Sequence, residues 1–248
     1  YVYDRLIWKW IFKKANLLVW VSNACKKFMN NKFVCRKMGV VFRWFDFINI
    51  DLNDVKEENL KYKFSWKIIV WFVWRLYKWK NVESLINAYY LLNNELKNKI
   101  QIVIIWDWED LSRLKSLDKD KKVYFTGWKK FKNALKLQSQ FDIHFHTSSP
   151  GWWLSWSLVQ AMFFVKIIIS TPYEWASEII FDKKNWILLK NDSIEEMKEW
   201  LEKGIKEFEE WRSYLKENKR VISNEFIWEE NIKKYYNLFR EWWKKYYL

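Results

Sequence analysis

Glycine is what this sequence most lacks. It appears 4 times in 248 residues, about 1.6%, where roughly 7% is usual. Few positions are therefore left to take up left-handed backbone without strain. Cysteine and histidine are scarce too, with two of each. Cys25 and Cys35 exclude a disulfide framework and, ten apart with no histidine nearby, read as inert thiols. No apolar run approaches the ~20 residues of a spanning helix, and Ile68–Trp74 is among the longest. No signal-peptide pattern opens the sequence, so a cytoplasmic protein is expected.

Tryptophan is what the sequence has in excess, with 21 copies. The surplus matches the glycine deficit, so the pattern is one of exchange. A gene from a lineage that reads the UGA codon as glycine, translated with UGA as tryptophan, would produce it. The alternative is a binding protein with aromatic platforms. Position separates the two, because turns and phosphate loops require glycine for steric reasons.

At 50% hydrophobic and 30% charged residues, the composition is that of a globular protein with one large or two modest domains. The net charge of +14 invites a nucleic-acid reading. Its lysines, however, are scattered among Glu, Asn and Ile, with no arginine-rich block. That bias resembles an AT-rich genome, and no nucleic-acid partner is expected. An anionic membrane surface or a phosphorylated small molecule would use the same field.

From about residue 67, short β-branched runs alternate with helical stretches. Strands are predicted at Lys67–Trp74, Ile100–Trp106, Lys122–Thr126, Asp142–His146, Lys166–Ser170 and Ile187–Lys190. Helices are predicted over Val82–Asn93, Ser155–Phe164 and Ile194–Phe208, and near Glu109–Ser116 and Lys132–Gln140. Apolar strands separated by helices imply an α/β fold, a Rossmann-like parallel sheet covered on both faces. Such sheets bind ligands at the carboxyl ends of their strands. Residues 1–58 carry too few elements for an independent domain. Asn49–Lys63 reads as a polar linker. A helical tail follows Arg220, with Phe226, Ile232, Tyr236 and Phe239 as its apolar face.

The strand ends carry a series of motifs: VWRLYKWKN (Val73–Asn81), IIWDWEDL (Ile104–Leu111), VYFTG (Val123–Gly127), FDIHFHTSS (Phe141–Ser149), SLVQAM (Ser157–Met162), TPYEWASEII (Thr171–Ile180) and KNWILL (Lys184–Leu189). In order and spacing this series resembles the nucleotide-sugar-binding half of retaining GT-B glycosyltransferases, the group 1 or family 4 type. Tryptophan occupies that family's glycine slots at Trp74, Trp106, Trp108, Trp175 and Trp186. Trp44 does so at the interdomain junction, whereas Trp79 and Trp228 fit aromatic positions seen in relatives.

The resemblance implies three parts. Residues 1–58 are a remnant of the acceptor-side domain, and 59–220 are the nucleotide-sugar-binding domain. Residues 221–248 are a helix packing back on the remnant. It also implies roles for particular residues. Arg75 and Lys80 match the family cations that bind the donor's diphosphate and neutralise the leaving group, and they are the candidate catalytic pair. Trp74, Gly127, the loop Trp152, Trp153, Leu154 and Ser155, and then Gln160 and Glu178 are candidate donor-binding residues. A glycine-rich loop before the SLVQAM helix would bring backbone N–H groups onto a pyrophosphate. Read literally, Trp152 and Trp153 crowd that approach. The family's two glutamates, eight positions apart, are replaced by Trp152 and Gln160. Gln160 retains the capacity to bond a ribose hydroxyl. For Glu178 a structural role is as open as a direct one.

His144 and His146 share one strand face. Two imidazoles alone do not make a metal site, so they are read as packing, and the family resemblance implies no metal or other cofactor. The function expected is transfer of a sugar from a nucleoside-diphosphate donor to an acceptor, a glycan or lipid-linked sugar, with retention at the anomeric carbon. Two alternatives stay open: a non-catalytic nucleotide-sugar-binding fragment, and a basic nucleic-acid-binding protein. Peripheral contact with an anionic membrane at its inner face also stays open.

Overall fold

The computed structural model describes residues 2–31, 38–41, 50–73, 78–105, 110–148, 155–164, 166–173, 176–180, 186–213 and 228–247. Six strands form one sheet: β3 (Ile68–Val73), β4 (Ile100–Ile105), β5 (Tyr124–Phe125), β6 (Ile143–His146), β7 (Ile167–Ser170) and β8 (Trp186–Leu188). Every pairing is parallel. The order across the sheet is β5-β4-β3-β6-β7-β8. The chain therefore starts in the middle, builds outward through β4 and β5, then returns to build outward on the other side from β6. The direction of winding reverses between β3 and β6.

Alternation along each strand sends side chains to two separate cores. On one face Val70, Phe72, Ile102, Ile104, Ile143 and Phe145 pack against the helices α4 (Val82–Tyr90), α5 (Asn94–Lys99) and α10 (Ile194–Lys206). On the other, Ile69, Trp71, Val103, Ile105 and Ile168 meet α7 (Phe131–Gln138) and α8 (Trp156–Phe163). All six residues of β4 are buried. The uninterrupted apolar strands of the sequence thus have the cause expected of them, a sheet with no face toward water.

Smaller elements complete the chain: α1 (Val2–Lys14), β1 (Leu18–Trp20), α2 (Asn23–Asn30), β2 (Met38–Val40), α3 (Leu60–Lys63), α6 (Leu111–Leu117), α9 (Ala176–Ile179), α11 (Phe208–Ser213) and a terminal helix, Trp228–Tyr247. β1 and β2 form a separate parallel pair. Local hydrogen bonds fix several starts. Ser22 Oγ accepts from the Cys25 amide (3.0 Å) at α2, and Asn93 Oδ1 from that of Leu96 (2.9 Å) at α5. Asp118 orders the turn into β5, accepting from the amides of Lys122 (2.9 Å) and Val123 (3.0 Å) and from the Tyr90 hydroxyl. Burial, with Asp118 alongside, pushes Tyr90 up to about 12.

The structure departs from the sequence reading in three places. The polar stretch read as a linker ends in α3, whose Leu60 is wholly buried, and the Leu60 amide donates to Gln140 Oε1 (2.7 Å). Glu57 and Glu58 tie the same stretch to Lys129 (2.9 Å) and to the Tyr124 hydroxyl (2.5 Å). Its polarity is that of a docked strap. The α5 helix went unread because its Asn-rich start resembles a loop, although Asn93 is its cap. The terminal helix leaves Ile232, Tyr236 and Phe239 exposed, contrary to the expected face, and Phe226 lies outside the described residues. Its inward stripe is Asn231, Leu238 and Trp242. Leu238 fits there because Gly39 of β2 has no side chain, and a Cβ on Gly39 would come within 2.7 Å of it.

Two expectations about stability follow. His144 is fully enclosed, and burial first, then the charges of His146 and Lys80, hold its imidazole well below the ordinary histidine value. Below about pH 6.5 the unfolded chain takes up a proton there that the folded chain refuses. Stability then falls as pH drops, because the unfolded state binds more protons. Denaturant unfolding between about pH 7.5 and 5 should show this loss, growing as the pH falls below about 6.5. A His144→Leu variant should lose less, and equal slopes in the two proteins would contradict the assignment. Trp66, fully exposed with φ of 72°, holds the third position of a turn closed by the Lys67 amide and Phe64 carbonyl (3.1 Å). A positive φ there favours glycine. Trp66→Gly should therefore raise stability by about 1 kcal/mol, and a loss on substitution would show that the turn tolerates the indole.

Candidate functional site

The winding reverses between β3 and β6, and open α/β sheets hold ligands at the carboxyl ends of the strands at such a point. After β3 the chain makes a tight turn, Lys78–Lys80, closed by the Asn81 amide on the Lys78 carbonyl (3.0 Å). Asn81 then takes left-handed backbone (φ 50°, ψ 34°), tolerated by a short polar side chain. It opens α4 through the Ser84 hydroxyl, which donates to Asn81 Oδ1 (2.7 Å). This kink turns Lys80 inward, leaving it 2% exposed.

The end of β6 meets it. Lys80 Nζ donates to Ser148 Oγ at 2.8 Å, and Ser148 Oγ lies 3.1 Å from His146 Nε2. The Thr147 hydroxyl donates to the Lys80 carbonyl (2.5 Å), and the Thr171 hydroxyl, beyond β7, to the Ser148 carbonyl (2.6 Å). The ammonium also lies over the Trp79 ring, 4.1 Å from its centroid. Thr147, Ser148, Thr171 and Ser170 are all buried. Polar side chains thus cluster where three apolar strands end, and they hold a lysine.

Of the candidate donor-site residues named from the sequence, Lys80 is the one among the described residues that this cluster contains. Ser155 is buried at the start of α8, its Oγ 3.0 Å from that of Ser157. Gln160 is buried one turn further along α8. Gly127 follows β5 at the sheet edge, two strands from β3, with φ of 70°, a conformation glycine takes without strain. Arg75, Trp74, Trp152, Trp153 and Leu154 lie outside the described residues, as do Trp44, Trp106, Trp108 and Trp175. Trp186 begins β8.

Glu178, on α9, faces the N-terminal segment. Its carboxylate accepts from the Asn23 amide (2.8 Å), the Asn23 side chain (3.0 Å) and the Ala24 amide (2.5 Å). These are donors at the first turn of α2, where a negative charge also meets the helix dipole. Its neighbourhood and burial raise the Cys25 thiol, burial being the larger cause. The sequence reading missed Thr147, Ser148 and Thr171 as site residues. Their signal was a run of hydroxyl residues just past apolar strands. His146 had been read as packing alone, and among the described residues no three potential metal ligands come together.

The parallel, helix-covered sheet with its winding reversal between β3 and β6 is a Rossmann-like α/β fold. The chain belongs to the glycosyl transferases group 1 family, whose sequence model matches residues 55–237. It is 39% identical over 243 residues to an uncharacterized glycosyltransferase of Methanocaldococcus jannaschii, covering 96% of this chain and 62% of the relative. The chain thus spans less than two thirds of that relative's length. Among solved structures it is similar to HepE of Anabaena, in complex with UDP and glucose, with a TM-score of 0.77 at 17% identity over 96% of this chain and 66% of that one. A glycosyltransferase of Rickettsia africae gives a TM-score of 0.79 at 17% identity, over 98% and 67%. Sucrose-phosphate synthase of Thermosynechococcus elongatus gives 0.78 at 12%, over 99% and 63%. At such identities these likenesses establish the fold alone, one half of a GT-B architecture. No helix among the described residues is long and apolar enough to cross a membrane.

The contact between Glu178 and α2 can be tested directly. Glu178→Ala strips several backbone and side-chain donors of their acceptor and should cost about 1–3 kcal/mol in denaturant unfolding. A change within about 0.5 kcal/mol, the range of ordinary surface substitutions, would show that the carboxylate does not hold the segment.

Proposed function

We propose that the chain binds a nucleoside-diphosphate sugar in the β3/β6 crevice and serves sugar transfer with retention at the anomeric carbon. The observation that carries this reading is the buried ammonium of Lys80 at the reversal point of the sheet. Family membership supports it, and so does HepE, whose structure holds UDP and glucose. In the transfer, the bond from the anomeric carbon to the diphosphate oxygen breaks, and the oxygen keeps the electron pair. An acceptor hydroxyl bonds to the same carbon on the face the diphosphate leaves, and its proton passes to the departing phosphate oxygen. Negative charge builds on the leaving nucleoside diphosphate. Lys80 and Arg75 neutralise it, lowering the barrier by charge-assisted hydrogen bonds that strengthen as the bond breaks.

Gln160 bonds the ribose, and Gly127 borders the nucleoside side of the crevice. The acceptor is a glycan or a lipid-linked sugar. A net charge of +14 suits work in the cytoplasm at an anionic membrane face, where lipid-linked acceptors lie. Because the chain spans 62% of its archaeal relative, donor binding is the activity to measure on this chain. UDP titrated into the protein by calorimetry should bind. Lys80→Ala and Arg75→Ala should each weaken binding about tenfold to a hundredfold, the loss of a charged hydrogen bond worth roughly 1.5–3 kcal/mol. Unchanged affinity in Lys80→Ala would overturn the assignment of the crevice.

A further inference from the structure

We propose that Ser148 and His146 are positioning residues for Lys80, a role that rests on the diphosphate-binding reading above. Donor and acceptor counting fixes the first link they form. An ammonium has three N–H donors and no acceptor, so in the 2.8 Å contact Ser148 Oγ must accept. The hydroxyl keeps one proton to donate and a second lone pair with which to accept. At 3.1 Å, His146 Nε2 meets one or the other according to its tautomer. In both cases a lone pair of Ser148 stays on Lys80, and each bond polarises the next.

Two threonines also fix Lys80 from behind. Thr147 holds the Lys80 carbonyl and Thr171 holds the Ser148 carbonyl, so the lysine backbone and its ammonium are both tied to the end of β6. A lysine otherwise samples many rotamers, and one held in place before ligand arrives loses less freedom on binding. Ser148 and His146 are both buried, which suits a supporting role behind Lys80.

The test is a double-mutant cycle read by UDP titration calorimetry on the full chain, each variant first checked for folding by circular dichroism. Ser148→Ala should weaken UDP binding about threefold to tenfold. Ser148→Thr, which keeps the hydroxyl, should recover most of that loss. His146→Phe should weaken binding similarly, and His146→Gln, which keeps an acceptor, should recover it. In a Lys80→Ala background, Ser148→Ala should have no further effect. A merely structural role would leave the two effects additive, and additivity overturns the proposal. Should Ser148→Ala fail to fold, the His146→Phe and His146→Gln pair decides, and equal affinities in the two count against it. Lys80→Ala binding UDP normally would instead sink the underlying reading of the crevice.

Independently of the crevice, the tryptophans themselves support a second inference. Trp66 is fully exposed at a left-handed turn position, where an indole gains no burial and strains the backbone. Trp71 lies in the centre of β3, wholly buried, with its indole N–H lacking a hydrogen-bond partner. With 21 tryptophans against 4 glycines, we infer that Trp66, Trp71, Trp74, Trp106, Trp108, Trp175 and Trp186 are glycines in the protein its host makes, encoded by UGA. The gene's nucleotide sequence tests this. UGA codons are expected at 66, 71 and 74, and UGG codons there would end the inference. Peptide mass spectrometry of the host's own protein is the second test, with glycine expected at the same positions and tryptophan contradicting it.

Discussion

The pairing of β3 with β6 is the constraint on which the site depends. Two strands separated by some seventy residues of chain lie side by side, Val70 opposite Ile143 and Trp71 opposite His144. Their carboxyl ends therefore emerge together, and the turn after one faces the hydroxyls after the other. The register also fixes which residues meet, because slipping one strand by a residue would turn every side chain to the opposite face. Lys80 and Ser148 are thus brought together by the apolar residues beneath them. Ile69, Val70, Phe72, Ile143 and Phe145 are all fully buried and set that register.

Apolar burial and polar satisfaction divide the sheet along its length. Below the carboxyl edge, β3 and β4 carry little but branched and aromatic side chains. At the edge the sequence changes abruptly to His146, Thr147, Ser148, Ser170 and Thr171. A buried polar group without a partner is costly, and here the hydroxyls satisfy one another's backbone and side chains across three strands. The carboxyl edge is consequently polar, with its hydroxyls hydrogen-bonded to backbone carbonyls. Ion pairs further out hold the helices in place: Arg113 bonds both Asp110 oxygens (2.7 Å each) and also pairs with Glu83, linking α6 to α4. The Arg113 guanidinium holds the Asp110 carboxyl below its usual range.

Much of this was legible in the sequence, for physical reasons. Period and continuity of the apolar runs gave the strands, since a strand buried on both faces has no polar alternation to confuse it. Lys80 was legible through its place in VWRLYKWKN. The partners of that lysine were harder to read, because Ser148 and Thr171 become site residues only once strand order places their ends together. Glu178 shows the same limit. Its motif left a structural and a direct role equally open, and only the structure shows its carboxylate at the start of α2, a segment more than 150 residues away. The terminal helix was misread because its most apolar stripe faces out, while its inward stripe is chosen by the gap at Gly39. Strand order and helix rotation are tertiary facts that local pattern does not contain.

The central claim is that the crevice between β3 and β6 holds the diphosphate of a nucleotide sugar. A crystal structure of the chain soaked with UDP tests it most directly. Both phosphates should lie at the carboxyl ends of those strands, with an oxygen about 3 Å from Lys80 Nζ. UDP seated elsewhere on the protein, with the Lys80 ammonium still enclosed and touching no phosphate, would contradict it.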